Sequence, residues 1–190
     1  MKTLKTIIIA ICFTIGIQKI HSQNYKLDKK NSTLFWTGKA AFSSYSLKGS
    51  ITLQQGTISI TKSTISSLHL IIDMKSIDHE NNDLKNHLKN EDFFEVETYP
   101  EAAFSTKNAT QINNTNAILN GVLTIKGKTN SENIPVTLEQ TESGLILKFN
   151  YTINRTKYSV NHNSPSIFKR MKENAIADEF ILQGTIVFTQ

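Results

Sequence analysis

Cysteine is almost missing from this chain: Cys12 is the only one among 190 residues. It lies within the apolar run Ile7 to Ile17, whose 11 residues fall well short of the ~20 needed to span a bilayer as a helix. Lys2 and Lys5 precede that run, and Ser22 sits just before Gln23. The pattern reads as a secretory signal peptide over residues 1–22, with a retained membrane anchor as the alternative. Ile11 stands where a lipoprotein signal would place a small residue, so Cys12 is read as part of the discarded leader. The mature chain, residues 23–190, then carries no thiol. Disulfides, thiolate catalysis and cysteine-based zinc sites are excluded, and core packing alone must hold the domain.

Clustered basic charge is also scarce. The formal net charge is +5, but Lys2, Lys5 and Lys19 belong to the leader, which leaves about +2 on the mature chain. No basic block interleaved with aromatics remains, so nucleic acid is not an expected partner. Catalytic signatures are lacking too. His162 and Ser164 are neighbours, yet no Gly-x-Ser-x-Gly elbow surrounds them. Asp73, Asp78, His79, Glu80, Asp83 and His87 are close in sequence but lack the spacing of helix-borne metal ligands. They read as a polar loop with helix caps, and neither a metal nor a cofactor is expected. His87 is either a helix-to-barrel contact or a hydrogen-bond partner for a ligand head group. Arg155 could grip a phosphate or carboxylate, but closing a barrel end on backbone carbonyls or an acid is the favoured reading. Five Asn-x-Ser/Thr sequons reflect a chain rich in those residues and are not read as glycosylation sites.

What is present is alternation with a period of two. Leu34, Trp36, Gly38, Ala40 and Phe42 share one face; so do Leu68, Leu70, Ile72 and Met74. Leu119, Gly121, Leu123 and Ile125 repeat the pattern, as do Leu145, Leu147, Phe149, Tyr151 and Ile153, and Phe180, Leu182, Gly184, Ile186 and Phe188. With shorter runs between them, eight or more strands are predicted in one domain of about 168 residues, enough to bury about 70% of its extended surface. Gln55-Gly56, residues 127–130 and residues 142–144 read as tight turns, which favour antiparallel neighbours. Leu84 and Leu88 mark one short helix; Ile167, Phe168 and Met171 mark a second, with Ser164 or Ser166 as its cap. Such strands close most easily into a barrel, which removes exposed edges; a sandwich has the same periodicity. An interior of Leu, Ile, Val and Phe would accept a hydrocarbon. Each buried CH₂ is worth about 0.8 kcal/mol, so a chain of ~20 carbons needs little polar recognition.

Residues 87–105, HLKNEDFFEVETYPEAAFS, combine a short helix, a Phe-Phe pair and a Tyr-Pro stop ahead of a strand. This block, the opening Leu27-Asp28 with Ser32 to Gly38, the segment Gly121 to Thr129 and the segment Asn154 to Tyr158 together resemble the YceI-like family. Residues 176–180 look like the versions that carry a second helix before the last strand. Asn90 and the Val160 to Asn163 turn depart from the family pattern. The resemblance implies an all-β fold: an eight-stranded antiparallel lipocalin-like barrel with two short helices, holding an amphiphilic polyisoprenoid such as an isoprenoid quinone or prenyl phosphate, without catalytic residues. Trp36, Phe42, Leu70, Ile72, Phe104, Leu123, Phe149, Tyr151 and Phe180 would line the cavity, with Phe93, Phe94 and Phe168 gating it. The expected location is the periplasm or outside the cell, with transient membrane-surface contact and a homodimer left open. A filled barrel serving in a stress response or in protein interaction is the alternative.

Overall fold

A computed structural model describes residues 22–170 and 174–190. The predicted leader up to residue 21, Cys12 included, and Met171 of the second predicted helix lie outside those residues. The strands are β1 (Gln23–Ala40), β2 (Ser46–Thr61), β3 (Thr64–Asp78), β4 (Glu101–Thr106), β5 (Thr110–Gln111), β6 (Asn116–Ile125), β7 (Lys128–Gln140), β8 (Gly144–Asn154) and β9 (Ile176–Thr189). All pairings are antiparallel, in the order β2-β1-β9-β8-β7-β6-β4-β3, and β2 also pairs with β3. The ring of eight is therefore closed, and the two-residue β5 adds only a short pairing to β3. The alternation that left barrel and sandwich open is resolved as a barrel.

Local chemistry explains the corners. β6 and β7 meet through Lys126 and Gly127, at φ 47° and 68°, the pair of positive φ values that a two-residue hairpin needs to match strand twist. The Gly127 site also lies against the Tyr99 ring, where an added Cβ would come within 2.8 Å of Cε1. In β1 the register shifts between Asp28 and Thr33. There the Asp28 carboxylate accepts from the Lys30 and Asn31 backbone N–H groups at 3.1 and 3.2 Å, so a side chain supplies the acceptors that the ladder omits.

Two expectations are corrected. Gln55-Gly56 makes no turn; it lies inside β2, where the register against β3 shifts between Leu53 and Gln55. A Cβ at Gly56 would stand 3.0 Å from Leu70 Cδ2 and 3.1 Å from Leu27 Cβ, so the glycine admits close packing rather than reversal. The second helix is not formed among the described residues: residues 165–170 are turns and bends. Only a single helical turn closes there, Phe168 N–H to Ser164 C=O at 2.8 Å, and Ser164 Oγ accepts weakly from Ile167 N–H at 3.4 Å. Pro165 just inside the turn is compatible with helix initiation, but Ile167 and Phe168 stay about half-exposed, so no packing holds a helix there. A 3₁₀ turn occurs instead at Arg155–Tyr158.

The first helix is present as α1 (Asn82–Lys89). Its cap is Asn81, whose Oδ1 accepts from Leu84 N–H at 3.0 Å. α1 follows β3 and lies over the end of the barrel where β1, β3 and β8 finish and β9 begins. The opposite end is filled by Tyr25, Ile58, Ile65, Leu145 and Phe188, all 3% exposed or less. The molecule thus has a solid base and a capped top.

Candidate ligand-binding site

The interior below α1 is not fully packed. A cavity of about 90 Å³ is lined by Trp36, Ile72, Leu88, Phe93, Phe94, Leu123, Phe180 and neighbours, with Arg155 as its charged member. A smaller void of about 40 Å³ continues toward the base, bordered by Leu70, Phe104, Phe149, Tyr151 and other apolar side chains. Ile72, Leu123, Ile153 and Leu182 border both. The strand faces read from periodicity thus converge on one apolar axis. Together the voids remain smaller than the ~150 Å³ apolar cavity that takes up benzene. A longer guest enters only by moving side chains.

The sequence block 87–105 forms the cap. Leu88 is buried, Phe93 is 5% exposed, and Phe94 packs edge-on to Phe180 with centroids 6.5 Å apart. Backbone bonds from Phe94 N–H to Leu88 C=O and from Val96 N–H to Lys89 C=O, at 3.2 and 3.0 Å, fold the chain back under α1. Lys126 ties this cap to the β6–β7 turn through the Glu91 carbonyl at 2.7 Å.

Outside the cap runs a groove of about 540 Å³, bordered by Gly38, Phe42, Tyr45, Leu84, His87, His162 and Ile176. Trp36, Leu88 and Phe93 line both groove and cavity, so they form the partition between them. The strand-face assignment of Phe42 is corrected here: β1 ends at Ala40, and Phe42 projects into the groove with 68% of its surface exposed. Phe168 is also exposed, at 49%, on the loop before β9, and it lines neither void. The buried indole nitrogen of Trp36 has no hydrogen-bond partner among the described residues.

Arg155 takes the structural role. It is 4% exposed and donates through Nε, Nη1 and Nη2 to the carbonyls of Ala177, Val160 and Ile176 at 2.9, 2.7 and 2.8 Å. Burial pushes its pKa down and the charge of Asp178 pushes it back up; the guanidinium stays charged. For Asp178, burial acts upward, but hydrogen bonds from Ser164 and Ser166 and the Arg155 charge prevail and hold its carboxyl below the usual range. Ser164 is thus committed to Asp178, not to His162.

One inward position of β7 is polar. Glu132 precedes Ile134, Val136 and Leu138 on the inward face of β7. It is 6% exposed and accepts from Tyr151 and Tyr158 hydroxyls at 2.7 and 2.8 Å. Burial, then the Glu132 hydrogen bond and charge, push the Tyr151 hydroxyl up to about 12, and Tyr158 moves in the same direction. Both phenols are held neutral. His87 and His162, far apart in sequence, meet at the groove with ring centroids 4.7 Å apart. Burial and the nearby His87 lower the His162 pKa, against the charge of Asp92.

The family model for a YceI-like domain matches residues 25–188. The chain belongs to the YceI-like family. Among curated relatives, a UPF0312 protein of Staphylococcus epidermidis is 38% identical over 97 residues, covering 46% of this chain and 53% of its own length. One from Staphylococcus aureus is 36% identical over a stretch of equal extent. The chain spans about half the length of the curated relatives it matches. This YceI-like barrel also resembles solved structures. Burkholderia cenocepacia BcnA superposes with TM-score 0.70 at 22% identity, covering 85% of this chain and 98% of that one. A polyisoprenoid binding domain from Saccharophagus degradans gives TM-score 0.62 at 12% identity, covering 87% and 97%. Campylobacter jejuni YceI gives 0.57 at 16% identity, covering 100% and 91%. At these identities the likeness speaks to the fold.

Proposed function

We propose that this YceI-like barrel is an exported binding protein that holds the tail of an amphiphilic lipid, a polyisoprenoid such as an isoprenoid quinone or prenyl phosphate, for transport, storage or sequestration. The observation that carries the reading is the apolar interior closed from an open groove only by the side chains of Trp36, Leu88 and Phe93. A tail displacing Phe93 and Phe94 would exchange one apolar contact for another, while its head stayed in the groove. The solved polyisoprenoid binding domain from Saccharophagus degradans shares the fold, which makes that lipid class the first to test. On this reading residues 1–22 act as an export leader, and the protein would work in the periplasm or outside the cell, meeting membrane surfaces only transiently.

The small size of the voids favours a second reading, a filled barrel that serves in a stress response or in protein interaction. A ladder of prenyl alcohols and phosphates of increasing length, titrated into lipid-stripped protein and followed by native mass spectrometry, separates the two. The carrier reading expects one bound molecule, with affinity rising along the ladder. No uptake at any length leaves the filled barrel.

A further inference from the structure

His87, Asp92 and His162 present one ligand atom each, all within 4.8 Å of one another, the only such trio found among the described residues. His87 stands on α1, Asp92 on the turn after it, and His162 on the connection between the 3₁₀ turn and β9. Phe93 packs against both imidazoles. Its ring lies 5.0 Å from each imidazole, edge-on to His87 at 88° and tilted by 39° to His162. His87 Nε2 and Asp92 Oδ2 are already 3.5 Å apart. Tetrahedral coordination with bonds of about 2.0–2.1 Å separates ligand atoms by about 3.3 Å. One edge therefore needs almost no change, and the others close by a side-chain rotation of about 1.5 Å. Both histidines border the outer groove, so further coordination positions face solvent.

We propose that His87, Asp92 and His162 form a site for a divalent transition-metal ion of the imidazole-preferring class, Zn²⁺ foremost. Two imidazoles and one carboxylate suit Zn²⁺, Ni²⁺ or Cu²⁺ and not Mg²⁺ or Ca²⁺, which take oxygen ligands. No two of the three residues have a helix-borne spacing, which is why sequence spacing gave no metal signal. The bound ion would join α1 to the β9 connection across the cap, directly outside the Phe93 partition. The inference does not depend on what the barrel holds.

The test uses tag-free protein, with Co²⁺ as the spectroscopic probe and Zn²⁺ in calorimetry. One equivalent is expected to bind saturably, with tetrahedral-type Co²⁺ absorption. Affinity should fall at least tenfold in Asp92→Asn and in His162→Gln, and hold in His69→Gln. Asp92 is exposed, so its variant keeps the fold, checked by far-ultraviolet circular dichroism. At a free Zn²⁺ concentration 100-fold above Kd, Tm should rise by roughly 5–10 °C. Absence of saturable binding, or binding that is unchanged in both Asp92→Asn and His162→Gln, overturns the assignment.

Discussion

Ala102 is 2% exposed and lines the larger void below α1, which makes Ala102→Leu a direct measurement of whether that space is vacant. The substitution adds three carbons, worth about 2.4 kcal/mol at ~0.8 kcal/mol per buried methylene. A second route gives a similar number. Filling a void costs or returns about 24 cal/mol per Å³, so the ~90 Å³ present corresponds to about 2 kcal/mol. Fixing the leucine rotamer takes back about 0.5–1 kcal/mol. A net gain of about 1–1.5 kcal/mol is expected in lipid-stripped protein, equivalent to roughly 3–5 °C in Tm. The assay is urea unfolding, with an unchanged m-value as the check that only native stability moved. A matched control comes from Gly121→Ala, where the new Cβ would stand 2.4 Å from Phe104 Cζ and 2.6 Å from the Ser105 carbonyl. That site is full, and a loss of about 1–3 kcal/mol is expected. If Ala102→Leu loses stability as Gly121→Ala does, the space under the cap is not available and the binding argument fails with it.

Three further outcomes follow from the same geometry. Phe93→Ala removes a buried ring from the partition; stability should drop by about 3 kcal/mol, while stopped-flow uptake of an apolar fluorophore becomes faster. Arg155→Met strips three carbonyls of their donors, and buried acceptors left unpaired cost about 1–3 kcal/mol each. Urea unfolding should show a loss of about 3 kcal/mol or more, and Arg155→Lys should recover only a minor part. The Tyr151 hydroxyl titrates at about 12 in the fold, above ~10 in an unfolded chain. A raised folded pKa means the contribution is complete below about pH 10 and disappears as pH climbs through about 12. Urea midpoints measured from pH 8 to 12 should fall over that window, and fall less steeply in Tyr151→Phe.

The barrel was legible because one face of each long strand is buried and the other is wet. Leu68 to Met74 and Leu119 to Ile125 alternate in the structure as they do in sequence. Leu70, Ile72, Phe104, Leu123, Phe149, Tyr151 and Phe180 therefore converge where the alternation put them. Phe42 failed because alternation continues past Ala40 in the letters while the hydrogen-bond ladder stops. Gln55-Gly56 failed because a glycine at a register shift inside a long strand carries the same residue signature as a turn. Ile167 and Phe168 have helical spacing only to Met171; both stay about half-exposed, and propensity alone does not hold so short a helix. The Glu132–Tyr151–Tyr158 cluster was hidden because a glutamate on an inward face is read as an interruption, although two hydroxyls satisfy it. The pairing of His87 with His162 could not be read at all, since it arises only when the ring of strands brings the top loops together.

Dividing the molecule into a dense floor and a slack roof has a consequence for how it can diversify. Changes around Ile58, Ile65 and Phe188, none of them exposed, meet neighbours on all sides and threaten folding itself. Replacements near Leu88, Phe94 or Ala102 meet spare room instead. A lineage can therefore retune what the mouth accepts while leaving the foundation of the architecture untouched.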